Sequence, residues 1–159
     1  MKLITDADVL SKLNEWGSEF VTRLKAELWN QKITASGNLA DSIEYRISDE
    51  GDGTHITIYS DYYMPYAEAG RKAGNVPRRF GDILAEWVRD KGIAVPSKFK
   101  DEYQFGWAIA YNIKHYGSKR YRNNDIADVV SPVTSEMTPR LNDIVTNRIV
   151  IYLNDSIYK

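Results

Sequence analysis

Apolar positions recur at helical spacing through most of the chain and alternate with polar ones in only one region. Over residues 6–30, Leu10, Leu13, Phe20, Leu24 and Leu28 fall on one stripe that Trp16 and Val21 widen, so the spacing predicts a long first helix capped by Thr5 or Asp6. Gly17 lies inside that stripe, where glycine costs about 1 kcal/mol relative to alanine. Ser36-Gly37-Asn38 closes the next connection, and Leu39 to Ser42 reads as a short helical turn. Residues 43–48 then alternate, Glu50-Gly51-Asp52-Gly53 forms a turn, and residues 54–60 alternate again. This is the signature of a β-hairpin, with Ile43, Tyr45 and Ile47 on one strand and Ile56 and Ile58 on the other. Two strands alone are marginal in water, so one face needs a cover, and the first helix is the candidate.

Further helices follow. Residues 61–70 read as a short helical turn closing on Gly70, and residues 71–77 as a basic loop punctuated by Gly74 and Pro77. Residues 79–91 predict a helix whose apolar stripe is Phe80, Ile83, Leu84 and Trp87, stopped by Gly92. Residues 101–116 predict another, with Phe105, Ala108, Ile109, Asn112 and Ile113 in register and Gly117 as its end. Residues 118–124 form a second basic loop. From Ile126 the chain is periodic nearly to its end. Pro132 and Pro139 break the first part, and Leu141, Ile144, Val145, Ile149 and Tyr152 mark a final helix, with a strand over 149–152 as the alternative. The pattern implies an α+β fold: a long N-terminal helix packed on a small antiparallel sheet, followed by further helices. It reads as a single domain over 1–159, with 126–159 as a C-terminal extension.

Composition narrows the chemistry. At 159 residues the chain supports one good core, and 43% hydrophobic with 27% charged residues suits a folded protein. There is no cysteine, which excludes disulfides and thiolate sites, and no run approaches the roughly 20 apolar residues of a membrane helix. The two histidines, His55 and His115, fall in different elements, short of the three or four ligands of a zinc site. Asp49, Glu50 and Asp52 lack the calcium-loop pattern, and Gly70 to Gly74 lacks phosphate-loop spacing. The expectation is a protein without enzymatic activity, metal or cofactor.

The net charge is -1, which argues against a general attraction to DNA. The distribution is uneven. Residues 1–70 carry 6 basic and 12 acidic side chains, residues 71–120 carry 11 and 5, and residues 121–159 carry 4 and 5. Two basic clusters stand out: Arg71, Lys72, Arg78 and Arg79, and then Lys119, Arg120 and Arg122 around Tyr121. Each follows a helix-ending glycine, so each is expected on the surface. Arginine forks suit pairing with an acidic partner or a neighbouring copy, and tyrosine among arginines also suits stacking on nucleic-acid bases. Tyr62, Tyr63, Tyr66 and Trp87 add aromatic area of the kind interfaces use. These twelve residues form the candidate interface.

The order of pieces resembles a known family. A long amphipathic helix leads to Ser36-Gly37-Asn38-Leu39-Ala40-Asp41-Ser42-Ile43 and a hairpin. Then come Tyr66-Ala67-Glu68-Ala69-Gly70-Arg71, Pro77, the helix from Ile83 through Trp87 to Ile93, and Ile109-Ala110-Tyr111-Asn112-Ile113 with the Gly117 loop. Over roughly residues 1–125 this is similar to the neck and tail-completion (head–tail joining) proteins of tailed bacteriophages. The resemblance implies a non-enzymatic virion protein of the neck or tail, assembled as a ring of six or twelve copies between portal-side connector and tail proteins. DNA passes through such rings without specific binding, and no membrane is involved. A nucleic-acid-binding protein using the basic loops is the alternative, as is a head-closure or minor capsid role. The basic 119–122 loop and the 126–159 segment depart from the family pattern.

Overall fold

In a computed structural model, which describes residues 7–33, 36–50 and 53–157 and side chains as far as residue 146, the first helix α1 runs Ala7–Asn30. A single turn, α2 (Asn38–Asp41), precedes strands β1 (Glu44–Glu50) and β2 (Gly53–Tyr59). The remaining elements are α3 (Met64–Ala69), α4 (Phe80–Asp90), α5 (Glu102–Tyr116), α6 (Lys119–Arg122) and α7 (Val130–Ile157). The expected caps Thr5 and Asp6 and the turn residues Gly51 and Asp52 lie outside the described residues. The α+β fold is as the pattern predicted.

The chain divides into two compact units, each assembled from separated segments. Unit 1 holds Met1–Leu28, Ala40–Asp61 and Val129–Lys159; unit 2 holds Trp29–Leu39 and Tyr62–Asp128.

In unit 1, α1 buries Val9, Leu13, Trp16, Gly17, Phe20 and Leu24 along one face, while Leu10 and Val21 sit at its margin. Trp16 and Phe20 stack with ring centroids 5.1 Å apart. The hairpin pairs Tyr45 with Ile58 and Ile47 with Ile56, which puts the apolar side chains on one face, while Ser48 and His55 pair on the other. Ile43 lies just before the strand and is buried. The helix packs on the sheet through Gly17. A Cβ there would come within 2.5 Å of the Tyr45 ring, and the Tyr45 hydroxyl donates to the Asn14 carbonyl at 3.1 Å. The glycine that weakens the helical pattern is therefore the point of closest approach.

Residues 129–146 belong to this core. Val129, Val133 and Met137 are buried, and the Trp16 indole N–H donates to the Met137 carbonyl at 2.8 Å. Arg23 pairs with Glu19 at 2.7 Å and with Glu136, and Arg140 pairs with Glu19. Pro132 falls in the first turn of α7, where its missing N–H is an orphan anyway. The helix continues through Pro139, so neither proline ends it, and residues 149–152 are helical rather than extended.

In unit 2, the packing of α4 on α5 differs from the predicted stripes. The buried residues are Gly81, Ala85 and Val88 on α4 and Gly106 and Ala110 on α5. Ile83 and Trp87 are exposed and Asn112 faces solvent. A Cβ on Gly106 would lie 2.5 Å from the Ala85 nitrogen and 2.7 Å from the Gly81 carbonyl oxygen. Small residues let the two backbones touch, and Gly81 leaves room for the Trp107 ring of α5.

Candidate interaction surface

The two basic clusters, separated by some fifty residues, are joined by unit 2 into one backbone junction. Gly70 ends α3 with a φ of 76° and Gly117 ends α5 with a φ of 78°, a left-handed region that only glycine enters freely. Side chains would not fit at either position. A Cβ on Gly70 would collide with Ser118 Oγ, and one on Gly117 would lie 3.0 Å from the Arg71 carbonyl oxygen. Ser118 ties the two turns. Its Oγ accepts from the Arg71 N–H at 2.9 Å and from the Tyr121 N–H at 3.3 Å, capping α6, and its own N–H donates to the Arg71 carbonyl at 2.8 Å. Gly74 N–H donates to the Lys114 carbonyl at 2.9 Å. The second basic loop is thus a short helix, α6, docked on the first.

The predicted cations separate into three groups by use. Two turn inward. The Arg120 guanidinium donates to the carbonyls of Ala67 at 2.9 Å and Glu68 at 3.3 Å, which satisfies the C-terminal end of α3. The Arg71 guanidinium lies over the rings of Tyr66 (4.7 Å) and Phe80 (5.5 Å) and donates to the Asn75 carbonyl at 2.8 Å. Both are half-buried and hold the backbone of unit 2 through these contacts. Arg79 is exposed and pairs with Asp82 at 3.0 Å, which raises its pKa. Asp82 also accepts from the Trp107 indole N–H at 3.2 Å. Lys72, Arg78, Lys119 and Arg122 are exposed and have no side-chain partner among the described residues.

The aromatic candidates are partly surface. Tyr62 is 77% exposed with Tyr63 edge-on beneath it at 5.8 Å, and Tyr63 itself is half-buried. Tyr66, Trp87 and Tyr121 are exposed. Two features carry no apolar or basic-cluster signal in the sequence: Lys114, which is exposed and has no side-chain partner among the described residues, and the α5 row Tyr103, Trp107, Tyr111 and His115. The rings recur every four residues, on the opposite side of α5 from its aliphatic register. The missed Ser118 had the signature of an N-cap directly before Lys119. One further cation reports on the field here. Lys91 donates to the Lys32 carbonyl at 2.8 Å, and burial, then the charges of Arg120 and Lys32, hold its pKa below the ordinary value.

The charge asymmetry follows the two units. Unit 1 carries 8 basic and 14 acidic side chains by sequence, net -6, and unit 2 carries 13 and 8, net +5. Among the described residues, no three His, Asp or Glu side chains converge as a metal site would need, and no helix is long and apolar enough to cross a membrane. No protein-family model, curated protein or solved structure matches the chain.

Proposed function

We propose that this chain is a non-enzymatic structural subunit of a tailed-phage virion, forming part of the head–tail connector or tail-completion ring. The observation that supports the reading is the division of charge between two separately packed units, net -6 and net +5. A ring is held by heterologous contacts, so each subunit needs two different and complementary faces. The acidic unit of one copy set against the basic unit of the next supplies them, and complementary charge fixes the direction of the contact. Exposed Tyr62 and Trp87 supply aromatic area for its buried part. The ordered pieces that resemble neck and tail-completion proteins give the same reading from a separate line. Its partners are then further copies of itself, a portal-side connector and tail proteins.

The test is assembly of the purified chain, read by sedimentation and negative-stain microscopy. Closed rings of six or twelve copies are expected. Arg78→Glu with Arg79→Glu abolishes them and leaves the thermal unfolding of the subunit nearly unchanged, because Arg78 has no side-chain partner among the described residues and Arg79 gives up only an exposed ion pair with Asp82. Arg71 and Arg120 are unsuitable for charge reversal, since both hold unit 2 together. Rings formed normally by the double variant, or a parent that stays monomeric at every salt concentration, overturn the assignment. Absence of the chain from virions also overturns it.

A further inference from the structure

We propose that the junction between the loop after α3 and residues 114–122 is a binding face for single-stranded nucleic acid. Lys72, Lys114, Lys119 and Arg122 would meet phosphates, and Tyr121 and Tyr116 would stack on bases. The inference goes beyond ring assembly and does not rest on it.

The first argument is the sorting of cations. Arg71 and Arg120 are consumed by carbonyls and rings, whereas the other four extend from the same junction without a partner among the described residues. Lys119 and Arg122 are three apart on α6, and so share a side of it. Lys72 and Lys114 flank the Gly74–Lys114 backbone hydrogen bond. The second argument is their type. Three of the four are lysines, which are depleted at protein–protein contacts but serve as point charges for phosphate. The third is the interleaved rings. Tyr116 and Tyr121 are exposed on either side of Gly117, and an unstacked base offers a flat face for each. The fourth is rigidity. The Ser118 and Arg120 hydrogen bonds fix the backbone that carries these groups, so little ordering is left for binding to impose. Together these are the charged track and stacking platform of a single-strand site, on a unit of net +5.

The experiment is fluorescence anisotropy of the full chain with a labelled oligothymidine of about 20 nucleotides, repeated over a salt series. Four phosphate contacts at about 0.7 counterions each give a log–log salt slope near -3, or a loss of about 50-fold in affinity between about 50 and 200 mM salt. Lys119→Ala with Arg122→Ala halves the slope. Tyr121→Ala weakens binding about fivefold or more at every salt concentration with the slope unchanged, and Tyr121→Phe restores it. Damage to the fold would not divide slope from intercept in this way. No binding at low salt, duplex of equal length bound as tightly, or an unchanged slope in the paired variant overturns the proposal. Loss of self-association in the paired variant, with no oligothymidine bound by the parent, would also overturn it. The face would then be a contact between copies, and the ring reading would stand.

Discussion

Gly106→Ala tests the backbone-to-backbone contact between α4 and α5 in unit 2. An alanine Cβ would stand 2.5 Å from the Ala85 nitrogen, 2.7 Å from the Gly81 carbonyl oxygen and 2.8 Å from the Ala85 Cα, against 3.4 Å or more for ordinary contact. All three are backbone atoms, so no rotamer relieves the clash and the helices must part by roughly 1 Å, a gap that forfeits a quarter to a half of each contact along the seam. Overpacking of this kind costs about 1–3 kcal/mol, and with backbone on the far side the upper end applies. Alanine returns about 1 kcal/mol as a better helix former. The net loss is about 2 kcal/mol. Urea unfolding followed by tryptophan fluorescence reads it directly, because Trp87 and Trp107 lie on α4 and α5. The midpoint should fall with the slope unchanged. Gly81→Ala should destabilise as well, since its Cβ would collide with Trp107 Cδ2 and stand 2.5 Å from Cγ, the root of the ring, so the indole must shift and give up its bond to Asp82. A Gly106→Ala protein as stable as the parent would show that the helices do not approach as described.

Arg120→Met removes a charged donor from two carbonyls and should lower stability by about 2 kcal/mol, whereas Arg122→Met should stay within about 0.5 kcal/mol of the parent; urea midpoints of the two decide it. Gly17→Ala should destabilise by about 1 kcal/mol in the parent and become favourable in a Tyr45→Ala background, where the obstructing ring is gone; a thermal-unfolding cycle measures the change of sign. The Glu19 carboxyl is held below its ordinary 4.5, first by the Arg23 hydrogen bond and then by Arg140. Its stabilising effect is full above 4.5 and is lost as pH falls through the lowered value, so Glu19→Gln should flatten that part of the acid limb in a stability–pH series; an unchanged limb would contradict the cause given.

The fold was legible where large apolar residues mark the buried face. Leu13, Trp16, Phe20 and Leu24 announce α1, and strict alternation announces the hairpin. It was illegible where the seam is made of small residues. On α4 the periodic stripe Phe80, Ile83, Leu84 and Trp87 was real, yet Gly81, Ala85 and Val88 face α5, because hydrophobicity scales reward size and a close backbone approach requires its absence. The use each charged candidate is put to was illegible for a similar reason. A charged side chain reads the same in sequence whether it caps a helix or awaits a partner, so Arg71 and Arg120 resembled Arg78 and Arg122 until the carbonyls opposite them were known. Pro139 misled because an exposed helix already anchored by buried Val133 and Met137 tolerates a lost hydrogen bond.

The segment order of the two units also sets a timetable. Every residue of unit 2 is made before Val129, whereas α1 must wait for α7, and the Trp16–Met137 hydrogen bond spans 121 residues. At ribosomal speeds of about 5–20 residues per second, that interval is about 6–24 s, during which the apolar face of α1 has no helix to cover it. All of unit 2 is therefore available before the last segment of unit 1 has been made. A chain terminated before Val129 contains every segment of the basic unit and lacks the last segment of the acidic one, so a premature stop there spares one unit and costs the other.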